Sequence, residues 1–322
     1  MIEKLYRVIV MTFDIIGWGA LNVDRLCKVN EFAPDDGETF IYEETKTCGG
    51  SASNTIIATS KLGLNVGYIG KIGKDSNGRM MKDYLEENNV DTRHLILDED
   101  DETGEVIGFI DKTGNRKLYV TPKVNDRIYN EDINRQYIND TKILHLTSFV
   151  GLNPDDPSIN TQFELLDEIS SDVTISFDPG MLYVSRGKEF MDRLIDLTDI
   201  LLINDNELLM ATGLDDFDEA VEEVSSKVDI LVVKRSTKGS FIKKDDEEYE
   251  VGIFNVDTVD TTGAGDAYNA GFLYGITNNY TLKESAILAS YIAAASTTKT
   301  GATEAIPTID EIDVDEIINS II

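Results

Sequence analysis

The stretch Asp260 to Gly275, DTTGAGDAYNAGFLYG, sets a turn of small residues, Gly263, Ala264 and Gly265, directly before a carboxylate, Asp266, and then an apolar, helix-like segment. Backbone amides at a helix start carry partial positive charge and have no partner inside the helix. Glycines let an anion approach those amides closely. An oxyanion developing during phosphoryl transfer would be stabilised there. Asp266, one residue beyond, is placed to accept a proton from an attacking hydroxyl. On GAGD alone, an ordinary loop-to-helix turn with an acid favoured by the helix dipole is an equally good reading.

The elements that must position this turn alternate along the chain. DIIGWG, VGYIG, KILHLTS, VTISFDP, DILLIN and DILVVKR read as short buried strands. SASNTIIATSKLG reads as a helix, with Ser51 or Ser53 as its cap and Gly63 at its end. SNGRMMKDYLEENN, SINTQFELLDEIS and EFMDRLIDLT read as further helices. Such alternation predicts a parallel sheet with helices on both faces. EFAPDDGETFIYEETKTC and ETGEVIGFIDKTGNRKLYVTP break the rhythm and read as hairpin-like insertions, a small β appendage on one main domain. His145, inside KILHLTS, is expected to be a structural histidine of a buried strand with its hydrogen bonds satisfied.

Bulk properties exclude several classes. With 322 residues, 41% hydrophobic and 28% charged, the chain has the composition of a folded globular protein. The formal net charge of −31 would repel nucleic acid and anionic membrane, so neither is expected as a partner. No apolar run reaches the 18 residues of a membrane span, and no signal peptide is read, so a cytoplasmic location is expected. Cys27 and Cys48 lack CxxC spacing, which supports neither a disulfide framework nor a zinc site. GWGALN lacks the GxGxxG spacing of a dinucleotide site.

The longer string DTTGAGDA resembles the C-terminal signature of the ribokinase-like (PfkB) carbohydrate and nucleoside kinases. The other pieces follow in that family's order: GALNVD, GGSASN, GKIGKDSNG, NDNE, VVKRSTKGS and TTKTGA. The resemblance implies an α/β fold, a three-layer α/β/α sandwich with a mainly parallel central sheet and a small β-sheet lid, built from about 22–48 and 103–122. It also implies a single kinase domain over 1–322, with 1–10 a dispensable extension if Met11 is the initiator.

By the same resemblance, Asn22, Asp24, Gly49, Gly50 and Asn54 hold the phosphoryl acceptor. Read from the residues alone, an ionised Asp24 accepts hydroxyl hydrogen bonds or serves equally well as a strand-end turn residue. Gly49 and Gly50 open the backbone to a substrate or simply turn the chain, and a helix-borne Asn54 needs a buried partner that a substrate hydroxyl would supply. Asn204, Glu207, Lys234, Ser236, Gly239 and Ser290 fall on the ATP side. Glu207 is implied to hold Mg2+ through water, and Asp260 and Thr262 to hold K+ beside the Thr297 to Gly301 turn, with Lys299 a cation that could stand in for it. Two departures stand out. Ser236 occupies a position where the nucleotide loop often has glycine, and Ser290 one that is often Asn. DPGMLY resembles archaeal nucleoside kinases more than ketodeoxygluconate kinases. The implied reaction is in-line transfer from ATP to a primary hydroxyl of a ribose- or hexose-like sugar, with Asp266 as base. A nucleoside acceptor and a non-catalytic binding module are the alternatives, and a homodimer through the lid is implied.

Overall fold

The computed structural model describes residues 12–151 and 156–320. The suggested extension before Met11 lies outside them.

Two sheets organise the chain. Nine strands form the large one: β1 (Phe13–Trp18), β4 (Val66–Gly73), β5 (Leu95–Asp98), β8 (Thr141–Thr147), β9 (Thr174–Asp178), β10 (Ile200–Asn204), β11 (Ile230–Lys234), β12 (Ser240–Lys244) and β13 (Glu247–Val251). The small one holds β2 (Asn22–Val29), β3 (Ile41–Gly49), β6 (Gly104–Ile110) and β7 (Arg116–Thr121). The large sheet runs β13-β12-β11-β10-β9-β8-β1-β4-β5, parallel from β11 to β5, with β12 and β13 antiparallel at one edge.

Both faces of this sheet are buried, which is why its strands are apolar runs rather than alternating patterns. Ile16, Trp18, Leu144, Leu146, Leu201 and Ile203 pack into a core on one face, and Ile15, Ile143, Ile200, Leu202 and Val232 into a core on the other. The helices Ala264–Thr277 and Leu282–Ser296 lie on the second face and approach closely. A Cβ at Gly271 would stand 2.7 Å from Ala289 Cα. No helix among the described residues is long and apolar enough to cross a membrane.

The winding reverses between β1 and β8: the chain proceeds from β1 to β4 and β5 on one side, and from β8 through β9, β10 and β11 on the other. In open α/β sheets the crevice outside the strand carboxyl ends at such a reversal is the ligand site. Asp178, Asn204 and Lys234 are the last residues of β9, β10 and β11.

The small sheet is mixed. β2 with β3 and β6 with β7 are antiparallel, while β2 and β6 run parallel. The second inserted segment is therefore a true hairpin, whereas the first supplies β3 to a strand that precedes it. Facing partners point to one side of a sheet. Asp24, Thr47, Val106 and Val120 share a side with Leu26, Gly108 and Leu118.

The helix Ser51–Lys61 corrects the cap reading. Gly50, at φ 113°, occupies the cap position, and neither serine caps. A Cβ at Gly50 would collide with the Ala20 carbonyl oxygen. Ser53 instead donates to the Gly49 and Gly50 carbonyls, at 3.1 and 2.9 Å. His145 is fully buried as expected, with Nδ1 3.1 Å from Ser176 Oγ. Contrary to the expectation of full satisfaction, its Nε2 has no hydrogen-bond partner among the described residues; burial pushes its pKa down to about 4, so the ring is neutral.

Candidate active site

Gly263, at φ 75°, is the N-cap of the helix Ala264–Thr277, and Asp266 sits in its first turn. Only glycine takes this left-handed turn without strain, and a Cβ there would stand 2.6 Å from Ala302 Cβ. The turn leaves the first amides of a 14-residue helix without helical partners beside Asp266.

Asp266 is held by residues 211 to 215 positions earlier in the chain. Its Oδ1 accepts from Ser51 Oγ at 2.5 Å, its Oδ2 from Asn54 Nδ2 at 2.8 Å, and its carbonyl from Thr55 Oγ1 at 3.3 Å. Burial raises its pKa to about 6, against the opposing pull of those two side-chain donors. A carboxyl with that pKa is ionised at neutral pH and a better base than an ordinary aspartate. Asn54, expected on the acceptor, holds the Asp266 carboxylate in the structure. Ser51 has a role the sequence reading gave only to capping. Its signal was present: Ser51, Asn54 and Thr55 stand at i, i+3 and i+4 and so share one face of the helix.

The acceptor-side residues come together at the root of the small sheet. Asn22 pairs with Gly49, and Asp24 with Thr47. Asp24 Oδ2 would stand 2.5 Å from any Cβ at Gly49, so glycine there lets the carboxylate lie against the backbone. Burial raises the Asp24 pKa to about 6. Gly49 and Gly50 lead straight into the helix that carries Ser51 and Asn54. One continuous segment thus joins Asp24's surroundings to the base.

On the other side of Asp266 lie the strand ends. Lys234 Nζ donates to Asp178 Oδ2 at 2.7 Å and to Asn269 Oδ1 at 3.1 Å. Asn269 Nδ2 donates to the same Asp178 oxygen at 2.6 Å. Lys234 Nζ also lies 3.7 Å from the place a Cβ would take on Gly265, so its charge sits beside the turn. Asn204 and Glu207 cap the helix Asp205–Thr212 reciprocally: Glu207 N donates to Asn204 Oδ1 at 2.9 Å and Asn204 N to Glu207 Oε2 at 3.1 Å. Burial raises the Glu207 pKa, and the nearby Asp178 charge adds to the rise. Asp178 and Asn269 were missed in the sequence, although each is a polar residue in an apolar run, TISFD and AYNAGF.

Ser51, Asp178, Asn204, Glu207, Lys234 and Asp266 all line one cleft. A neighbouring cleft of about 390 Å³ shares Lys234, Ser236 and Gly265 with it and has apolar walls, including Ile253, Val256, Ala293 and Ala294. Gly239 and Ser290 line this second cleft, and Ser290 Oγ donates to the Gly252 carbonyl at 2.8 Å. Ser236 holds φ 51°, the left-handed conformation glycine would take freely. The departure from glycine thus leaves the loop's left-handed turn in place, at a strain of roughly 1 kcal/mol.

Asp260 binds two loops together. Its Oδ1 accepts from Thr262 N at 3.0 Å and Thr262 Oγ1 at 2.7 Å, and its Oδ2 from Gly301 N at 3.2 Å. These donors outweigh burial and hold its pKa below the ordinary value. The Thr297 carbonyl accepts from Val259 N and Asp260 N. The cation that reaches this junction is Arg116 of β7, whose Nη1 donates to Thr262 Oγ1 at 2.8 Å, rather than Lys299.

The chain matches the description "pfkB family carbohydrate kinase" over residues 13–309. It is 38% identical over 249 residues to an uncharacterized sugar kinase of Archaeoglobus fulgidus, covering 77% of this chain and 97% of the relative. It is 31% identical to an ATP-dependent ribose-1-phosphate kinase of Halopiger xanaduensis, covering 80% and 83% of the two chains. The crystal structure of the Methanocaldococcus jannaschii nucleoside kinase, an archaeal member of the ribokinase family, superposes with a TM-score of 0.83 at 25% identity, covering 95% of this chain and 98% of that one. With the glycine turn and its acid at the reversal of a ribokinase-like sheet, the chain belongs to the pfkB family of carbohydrate kinases and is a kinase of the sugar and nucleoside class.

Proposed function

We propose that this kinase transfers the γ-phosphoryl group of ATP to a primary hydroxyl of a sugar, ribose- or hexose-like, by in-line attack. The observation that carries the proposal is Asp266: a carboxylate with a raised pKa, oriented by Ser51 and Asn54, in the first turn of the helix that Gly263, Ala264 and Gly265 open. Asp266 takes the hydroxyl proton as the oxygen attacks. The turn amides and Lys234 stabilise the charge on the transferring group. Adenine fits the apolar cleft beside Ser290. The acceptor lies against Asn22, Asp24, Gly49 and Gly50, under the small sheet acting as a lid.

Asp178 and Glu207 suit Mg2+, because two carboxylates near enough to raise one of them face the phosphate cleft, and hard oxygen donors are what magnesium takes. Bound there, the ion would neutralise phosphate charge; this chain's part is to hold it through Glu207, directly or through water.

The decisive experiment is ADP release from Mg-ATP with a panel of D-ribose, D-fructose, D-glucose, adenosine, inosine and ribose 1-phosphate. Turnover with a free sugar above all others supports the proposal, and turnover with none removes it. A nucleoside acceptor is the second reading, favoured by the apolar Leu26, Val106, Leu118 and Val120 on the Asp24 side of the small sheet, which suit a base. The outward exposure of Tyr42 and Tyr119, 55% and 58%, adds support for a homodimer through this sheet.

Asp24→Ala is expected to raise the acceptor KM at least tenfold while leaving the ATP KM within about twofold, since a hydrogen bond to a charged group is worth about 1.5–3 kcal/mol. Steady-state kinetics in both substrates decides, and equal rises would place Asp24 elsewhere. Potassium is assigned to the Asp260, Thr262 and Thr297 to Gly301 junction, where the Asp260 carboxylate ties the two loops together. Activity is expected to rise when potassium replaces tetramethylammonium at constant ionic strength, and Asp260→Ala to abolish that response. Equal rates in the two salts for the unmodified protein would rule the site out, with Arg116 then the cation serving that junction.

A further inference from the structure

The acceptor site contains a polarity that its own residues do not set. Asn125 is completely buried, in the 3-10 turn Lys123–Asp126 that follows β7. Its Oδ1 accepts from Leu21 N at 2.9 Å, and its Nδ2 donates to the Leu21 carbonyl at 2.9 Å and to Asn22 Oδ1 at 2.9 Å. The backbone of Leu21 dictates this arrangement. An N–H can only donate, so Asn125 must turn its oxygen to it, and its amide nitrogen must then face the Leu21 carbonyl and Asn22. Asn22 must answer with oxygen, which leaves its Nδ2, a donor, as the end of the amide outside the clamp.

The clamp is locked from two further directions. Gly104, the first residue of β6, faces Asn22 in the sheet register. A Cβ on Gly104 would collide with Asn125 Nδ2 and stand 2.5 Å from Asn22 Oδ1. The Asn125 carbonyl accepts from Ser158 Oγ at 2.6 Å, and Ser158 Oγ accepts from Ile128 N at 2.8 Å. Both points where the chain enters the small sheet, Leu21–Asn22 and Gly104, therefore meet on one buried amide.

We infer that Asn125 is a positioning residue for substrate specificity: it fixes Asn22 as a hydrogen-bond donor, so that the acceptor pocket presents one donor, Asn22, beside one obligate acceptor, the Asp24 carboxylate. The substrate class is a polyol that offers a lone pair to Asn22 and a hydroxyl hydrogen to Asp24. A hydroxyl, a ring oxygen or a carbonyl satisfies the first contact; only a hydroxyl satisfies the second. The inference rests on the proposed placement of Asn22 at the acceptor.

The test is a double-mutant cycle, with the acceptor that turns over fastest in the panel of D-ribose, D-fructose, D-glucose, adenosine, inosine and ribose 1-phosphate. Asn125→Ala is expected to raise the acceptor KM about tenfold with the ATP KM within about twofold, the scale of one lost hydrogen bond. In an Asn22→Ala background the same change is expected to add less than about twofold. A full tenfold effect persisting in that background overturns the inference. Asn22→Asp keeps an oxygen for Asn125, removes the donor and adds a carboxyl near Asp24, and it covers the case in which Asn125→Ala does not fold. It is expected to raise the acceptor KM at least tenfold; an unchanged acceptor KM overturns the inference. An Asn22→Ala protein with parental acceptor KM would instead remove the placement of Asn22 at the acceptor, a separate failure.

Discussion

Asp266→Asn is expected to fold as the parent does and to lose about 10²–10⁴-fold in turnover, the usual scale for a general base. Asparagine keeps the shape and the hydrogen-bonding reach towards Ser51 and Asn54 but cannot take the proton. The pH dependence separates loss of the base from general damage. Asp266 has a folded pKa of about 6. The parent's kcat/KM is therefore expected to fall roughly tenfold per pH unit below about 6 and to level above it. Stability should move the other way. A carboxyl whose folded pKa is raised stabilises the protein only while protonated, and that contribution is lost as pH rises from about 4, the unfolded value, through about 6. At pH 7 the parent carries a buried charge that the variant lacks, so Asp266→Asn is expected to be at least as stable there. Near-normal turnover in a folded Asp266→Asn protein, measured by ADP release beside a thermal melt, would take Asp266 out of the base role.

The contrast between Asp266 and its holders marks how far the sequence could be read. The glycine turn, the helix after it and the run of parallel strands were legible because each depends on local chemistry: positive φ, a missing Cβ, or burial on both sheet faces. The order of the motifs carried the fold. Contacts across the chain were not legible. Nothing local to Ser51 says that a carboxylate 215 positions later will accept its hydroxyl hydrogen. Gly50 displaced both serines from the cap, because Ala20's carbonyl comes so close that no side chain fits there. Asn54 was read as needing a buried partner, which was right in kind, but the partner in the structure is the base itself. Arg116, from the small sheet, reaches Thr262 across 146 positions, where Lys299 was the nearer cation in sequence.

Lys234→Met is expected to destabilise the protein by roughly 3–5 kcal/mol at pH 7.5, the cost of leaving one member of a buried ion pair without its partner. Lys234 and Asp178 qualify as such a pair, with side-chain exposures of 14% and 10% and a separation of 2.7 Å. Burial pushes the Asp178 pKa up, but Lys234 and the Asn269 amide outweigh it and hold the carboxyl below its ordinary value. A depressed carboxyl stabilises above its unfolded pKa, near 4, and that contribution is lost as pH falls through the folded value. Without Lys234 the sign reverses: burial dominates, Asp178 titrates above its ordinary value, and stability falls as pH rises past about 4. The gap between parent and variant, measured by urea unfolding, should therefore be wide at pH 7.5 and narrow at pH 4. The double variant Lys234→Met with Asp178→Asn removes the stranded charge and is expected to regain most of the stability. It should not regain turnover, because the charge beside Gly265 is still missing and the Asp178 carboxylate proposed for Mg2+ is gone as well. A loss below about 1 kcal/mol at pH 7.5, or the same loss at both pH values, would mean that the pair is a surface-like contact of the kind that contributes little. Recovery of turnover along with stability would show that Lys234 serves only to neutralise Asp178.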